Sequence, residues 1–351
     1  ASLDSDYAAA LLTASEAAYA WGLDNDLNPN AVYSNPPGIT TGEYGDTDPT
    51  DEKMWAATEL LITTGKPIYE DNGLAAANRG SEVPGWPKVN TLAQYSLALF
   101  LDNSLARQKV VSKANGLYSE WLNSAYRVPM QTWDYYWGSN SVAANKGMLL
   151  IVTYILTGES KYLEEAVACL DYLLGRNPHG TSFVTGFGIR TPMHPHHRVS
   201  YADGIADPVP GMLVGGPNQQ KQDATGEDPP VYPDASGVAL AWVDDWRSYA
   251  SNEVAINWNA PLAFLAGSLD FLTAVPLAKG AFGIDDGPEE GFYRNGFGFI
   301  RANIDNDWIY HDRHGWMLVV RNSRGLWLHG EMGWIWTSAE IVPWYYSYAG
   351  Q

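Results

Sequence analysis

A single cysteine, Cys169, stands among 351 residues, so no disulfide can form within the chain. It lies among the apolar residues of Leu163 to Leu174 and reads as a small buried hydrophobe rather than a nucleophile. Basic residues are also scarce: 21 Lys and Arg face 40 Asp and Glu, a net charge of −19. An acidic surface repels nucleic acid and anionic lipid, and the few basic residues form no stripe, so neither is an expected partner. No run of about 18 apolar residues occurs, which excludes a membrane-spanning helix. No basic leader is visible, although a processed secreted protein would look the same.

Aromatic residues are plentiful instead, with 15 Trp and 21 Tyr. Flat aromatic faces suit sugar rings, and they equally fill space between packed helices. Amphipathic helical spacing covers Tyr7 to Trp21, Asp51 to Thr64, Val89 to Leu101, Leu105 to Leu122, Ser141 to Leu156 and Lys161 to Leu174. Ser5 or Asp6 is a candidate cap for the first. A last helix begins near Asn252 and runs toward Phe271, with Pro261 expected to end or bend its first turns. Helices joined by irregular loops predict a mostly α fold, part of an α/α toroid. Between Gly175 and Ser251 the chain is rich in Gly, Pro, Asp and His with little periodicity, and a loop that long in a compact domain is usually functional or disordered. After a helical domain at 1–278, a Gly/Asp/Pro-rich linker at 279–290 leads into 291–351, where aromatic and polar residues alternate at strand spacing. That end reads as a small β-rich module carrying a weak repeat, Tyr310-His311 before Gly315-Trp316 and Leu328-His329 before Gly333-Trp334. Its Trp residues, among them Trp336 and Trp344, suit packing or glycan binding.

Two polar-aromatic clusters carry the chemistry. Ser182 to Arg198 closes on Pro195-His196-His197-Arg198, and Trp242 to Ala260 holds Asp244, then Glu253 nine residues later, then Asn259-Ala260. Both resemble the two signatures of glycoside hydrolase family 9, the inverting cellulases, as does Asp171 to Pro178; Gly215-Gly216-Pro217-Asn218 resembles a further family segment or is a turn. The resemblance covers most of residues 1 to 275. It implies an (α/α)6 barrel, secretion, and an endo-acting hydrolase of β-1,4-glucan such as cellulose.

Inverting hydrolysis needs one carboxyl group to protonate the leaving oxygen and another to deprotonate water. By resemblance Glu253 is the proton donor. Ser251 or Asn252 could cap a helix whose first turn holds it, a setting that lowers a carboxyl pKa where a general acid needs it raised. Burial against Trp258 or Trp246, or a nearby second carboxylate, would then have to win. Asp244 takes an orienting or charge-setting role, with its neighbour Asp245 pointing to the opposite face. His196 and Arg198, two apart, share one side of an extended loop, and their donors suit sugar hydroxyls. His197, Tyr249 and Trp258 complete the expected substrate contacts. His194, His196 and His197 make a poor zinc site, crowding one loop without a cysteine. By resemblance Thr47, Asp48, Asp51 and Glu52 form a structural calcium loop, although acids at a helix start explain them nearly as well.

The family's catalytic base lies in an Asp-Ala-Gly-Asp segment, which occurs nowhere in this sequence. About seven helices are present where the barrel has twelve. An N-terminal fragment carrying the base and the other helices is therefore an expected partner. A glycan-binding or scaffold protein that kept the toroid without turnover is the competing expectation.

Overall fold

The computed structural model describes residues 4–25, 34–40, 42–43, 45–46, 48–233 and 237–273, together with strand backbones between 293 and 347. The described helices are α1 (Ser5–Asp24), α2 (Thr50–Thr64), α3 (Glu70–Ala75), α4 (Asn90–Phe100), α5 (Ser104–Asn123), α6 (Ser139–Thr157), α7 (Ser160–Leu173), α8 (Arg198–Ala202), α9 (Tyr249–Asn252) and α10 (Ile256–Thr273). The chain divides into two compact units, 1–265 and 266–351. None of the described helices is long and apolar enough to cross a membrane.

The seven expected helices are all present, with their ends set by local chemistry. Asp4, rather than Ser5 or Asp6, caps α1 by accepting the Tyr7 N–H at 2.8 Å. A carboxylate there satisfies an otherwise orphaned amide and complements the helix dipole. The last helix starts at Ile256 and continues through Pro261. A proline this close to the start removes a single backbone bond, which the packing of the following turns tolerates.

Packing centres on α6, where thirteen consecutive positions from Asn140 to Val152 include only two, Ser141 and Met148, that are not buried. A helix buried on every side is a central one. On α7, Tyr162, Ala166, Cys169 and Leu173 form a buried stripe at helical spacing. Cys169 is fully buried and free, and burial pushes its thiol well up. Gly147 makes the α6 contact possible, because a Cβ there would lie 2.7 Å from Leu265 and 3.2 Å from Cys169. Further clusters join Leu60 of α2 to Tyr19 and Tyr69, and Leu97 of α4 to Ala76 and Ala106. By contrast α1 leaves Leu11 and Trp21 half exposed or more.

The long stretch after α7 is irregular, as its composition predicts, but it is knitted together by short extended pairings. Val184 bridges Leu213, Val214 bridges Val254, and His196 bridges Glu253 in parallel. In the second unit, strands β1 (Tyr293–Asn295), β2 (Gly298–Ala302), β3 (Trp308–His311), β4 (Gly315–Asn322), β5 (Gly325–Gly330), β6 (Gly333–Thr337) and β7 (Tyr346–Ser347) pair antiparallel in sequence order. The internal repeat falls on the β3–β4 and β5–β6 pairs, with Tyr310 opposite Trp316 but Leu328 opposite Ile335. The two copies thus differ in register by one residue. The linker expected at 279–290, Trp344 and Thr47 lie outside the described residues.

Candidate active site

A cleft of about 1210 Å³ opens over the N-terminal end of α6, and Glu253, His196, Arg198, Tyr249 and Trp258 all line it. Glu253 follows α9 with extended backbone angles (φ −67°, ψ 158°), three residues ahead of α10. It is therefore not in the first turn of a helix, and the conflict with a helix dipole does not arise. Its main chain is fixed from both sides: Gly215 N–H donates to its carbonyl at 2.8 Å, and His196 N–H donates to Asn252 at 2.8 Å. Burial raises its carboxyl pKa above the ordinary value of 4.5, opposed by an indole N–H from Trp137 at 3.2 Å and by the nearby His196. A carboxyl that keeps its proton to higher pH is what general acid chemistry requires.

The imidazole of His196 is held by Trp246 and Tyr249. Its Nδ1 lies 2.6 Å from the Trp246 carbonyl, which can only accept, so Nδ1 carries the proton. Its ring stacks on the Trp246 indole at 5.4 Å and meets Tyr249 edge-on, while Tyr201 stacks on that same indole at 3.9 Å. Arg198 begins α8, is exposed, and pairs with no carboxylate among the described residues. Its guanidinium therefore has donors available to a ligand in the cleft.

One expected substrate contact, His197, is placed elsewhere, and Asp244 holds the loop beside it. His197 was expected on substrate, but its Nδ1 accepts the Ser200 N–H and caps α8, and it does not line the cleft. Asp244 accepts Met193 N–H at 2.7 Å, His194 N–H at 2.9 Å and the Asn252 amide at 3.2 Å. Its carboxylate thus orients the loop that carries His196 and borders a second cavity of about 710 Å³ rather than the cleft itself. Asp245 turns to a different partner, a bidentate pair with Arg247.

Trp258 is mostly buried and forms the cleft wall, resting so close to Gly138 that a Cβ there would lie 2.8 Å from the indole. Gly138 also has φ +84°, which disfavours any other residue. The exposed aromatic surface comes instead from Trp133, Tyr136, Trp137 and Tyr249, with Trp137 and Tyr249 rings 5.4 Å apart. The signal for the first three was present in the sequence, as a run of four aromatics between Thr132 and Gly138 just ahead of a helix. Also missed was Asn252, fully buried, whose side chain joins Trp242, His194 and Asp244.

Of the expected calcium ligands, Asp51 serves a different helix. Its Oδ2 accepts Val89 N–H at 2.8 Å and Asn90 N–H at 3.2 Å, capping α4. Asp48 binds the Thr50 amide and hydroxyl. Asp46 Oδ2 and Glu52 Oε2 are buried without hydrogen-bond partners, and burial beside Asp51 pushes Glu52 to about 7. Unpartnered acidic oxygens fit a hard cation, yet among the described residues no three His, Cys, Asp or Glu side chains gather as a metal site.

Comparison with known proteins places these features together. The sequence profile of glycosyl hydrolase family 9 matches residues 1–266. A xyloglucan-specific endo-β-1,4-glucanase of Bacteroides ovatus is 41% identical over 282 residues, covering 74% of this chain and 46% of that protein. Endoglucanase D of Acetivibrio thermocellus is 33% identical over 284 residues, covering 77% and 40%. A solved Bacteroides ovatus family 9 structure superposes with TM-score 0.66 at 36% identity, covering 77% of this chain and 50% of that one. A metagenome-derived family 9 endoglucanase gives TM-score 0.66 at 32% identity, covering 76% and 48%. The chain spans half or less of the length of these relatives.

Proposed function

The chain belongs to glycosyl hydrolase family 9, and from that premise we propose that it cleaves internal β-1,4-glucosidic bonds by single displacement with inversion. The observation that carries the proposal is Glu253: a carboxyl lining an aromatic cleft, kept protonated to higher pH by burial, beside an imidazole and an indole N–H. Glu253 donates its proton to the leaving oxygen. Trp137 and His196 then stabilise the carboxylate that forms, and His196 and Arg198 hold sugar hydroxyls while Trp133, Tyr136, Trp137 and Tyr249 offer faces for the rings.

The attacking water needs a second carboxylate, about 6.5–9.5 Å from the first in inverting enzymes. Among the described residues, the other acids lining the cleft are already engaged. Asp134 and Glu120 bind Lys146, Glu82 pairs with Lys88, and Glu43 accepts Ser34 and Asn35. The base is therefore assigned to an N-terminal fragment, whose helices would also cover the apolar side of α1. Secretion, and a small β-rich module over 291–351, complete the proposed organisation.

Active material containing this chain should release reducing ends from carboxymethyl cellulose and from xyloglucan, the latter because of the substrate of the 41% identical relative. Proton NMR should show the α-anomer of the product first. The β-anomer first would exclude inversion, and tight binding of cello-oligosaccharides with no release would favour a glycan-binding protein. Mass spectrometry should find a second segment in that material; activity from these 351 residues alone would place the base within them.

We also propose calcium at the Asp46 to Glu52 loop, held by the two unpartnered oxygens Asp46 Oδ2 and Glu52 Oε2, with Thr47, backbone and water oxygens completing the set. At 100 times its dissociation constant a ligand that binds only the folded state stabilises it by about 2.7 kcal/mol. Calcium should accordingly raise the melting temperature at neutral pH and a chelator should reverse the gain; a melting curve indifferent to both would exclude the site.

A further inference from the structure

Lys146 lies in the middle of α6, only 3% exposed, beneath the cleft. Its ammonium uses its three donors on Asp134 Oδ2 at 2.6 Å, the Pro129 carbonyl, and Glu120 Oε2 at 3.2 Å. Asp134 in turn accepts the Gln131 N–H at 2.8 Å, while its own N–H donates to the Gln131 side chain, closing a reciprocal capping box, and also to the Gln131 carbonyl at 2.9 Å. The turn from Pro129 to Asp134 is thus suspended from one buried cation at both of its ends. Three residues beyond Asp134, Trp137 presents its indole N–H to Glu253.

We propose that Lys146 is a positioning residue for the general acid, acting through Asp134 and the aromatic turn to set the Trp137 indole on Glu253. This rests on the glucanase reading of the cleft. Stability alone does not account for such a group: a desolvated ion pair contributes no more than well-packed apolar side chains of similar volume, and often less. What the pair supplies is geometry. A lysine with each donor on a different oxygen allows the turn one height and one tilt above α6, and Trp133, Tyr136 and Trp137 inherit both. Glu165 on α7 is fully buried nearby, but burial pushes its carboxyl to about 8, so at neutral pH it does not compete as a counter-charge for Lys146.

The test compares Lys146→Met, Lys146→Arg and Trp137→Phe in protein with ¹⁵N-labelled indoles. The Trp137 indole N–H signal, assigned by its loss in Trp137→Phe, should shift in Lys146→Met and return toward its original position in Lys146→Arg. With glucan as substrate, Lys146→Met should lower kcat by about 100-fold, the scale of a misplacement near 1 Å in a catalytic group. The same substitution should have little further effect in the Trp137→Phe background. An unmoved indole signal in folded Lys146→Met protein, or an equal loss of kcat in both backgrounds, would overturn the proposal. If Lys146→Met does not give a cooperative melt, Asp134→Asn keeps the size of the turn residue, weakens the ion pair, and is judged by the same signal. The signal is read without substrate, so a wild-type protein that hydrolyses no glucan sinks the functional reading and leaves the positioning role to be decided by NMR.

Discussion

Glu253→Gln is expected to lower glucan hydrolysis by about 10²–10⁴-fold, the contribution of a positioned general acid, without weakening the fold at neutral pH. Burial raises the Glu253 pKa above 4.5. A carboxyl of this kind favours the folded state while it is protonated. That contribution is present below the unfolded value and is lost as pH rises through the raised one. Glutamine has no charge to bury, so the variant loses nothing there at pH 7 and a fall in rate reports chemistry. The same shift places the alkaline limb of kcat/KM above the range of an ordinary glutamate. Trp137→Phe removes a hydrogen bond to the ionised form and should move that limb higher still. Reducing-end assays across pH, with melting curves for each variant, check both statements. Equal rates for Glu253→Gln and wild type would remove Glu253 from the mechanism.

Asn252→Ala should be the most damaging single change to the site's framework, costing about 3 kcal/mol through three lost hydrogen bonds and the buried partners they leave behind. The Asn252 side chain accepts the Trp242 indole N–H at 3.2 Å and donates to the His194 carbonyl at 2.7 Å and to Asp244 at 3.2 Å. All of these surround the two segments that carry His196 and Glu253. For a unit of this size such a loss lowers the melting temperature by about 6–12 °C. A melt indistinguishable from wild type would show that the network does not support the loops. Asn252→Asp keeps an acceptor for Trp242 but sets a carboxylate against Asp244, so it should not rescue the fold.

Helix periodicity made most of the first unit legible, because a stripe such as Tyr162, Ala166, Cys169 and Leu173 records which side of a helix is buried. The spaced signatures singled out Glu253, His196 and Arg198, which the structure brings into one cleft. What stayed hidden depends on partners far away in the chain. Trp137 and Glu253 are 116 residues apart, and no local pattern announces the bond between them. Ser251-Asn252-Glu253 resembles a helix start, but pairing of Val254 with Val214 and of Glu253 with His196 outweighs that local preference and holds the segment extended. Asp51 sits where first-turn acids belong, yet its carboxylate reaches Val89, 38 positions later, to start a different helix. His197 occupies a cap position that sequence rules reserve for Ser, Thr, Asp and Asn.

The parallel pairing of His196 with Glu253 has a consequence for how such a site can be rebuilt. Side chains alternate along an extended segment, so one residue inserted or removed on either side would turn the imidazole or the carboxyl away from the cleft. Neither loop can be lengthened, shortened or transplanted independently of the other. Loop grafting between enzymes should therefore treat residues 193–198 and 252–254 as a single cassette, with length variation confined to the exposed turns outside it.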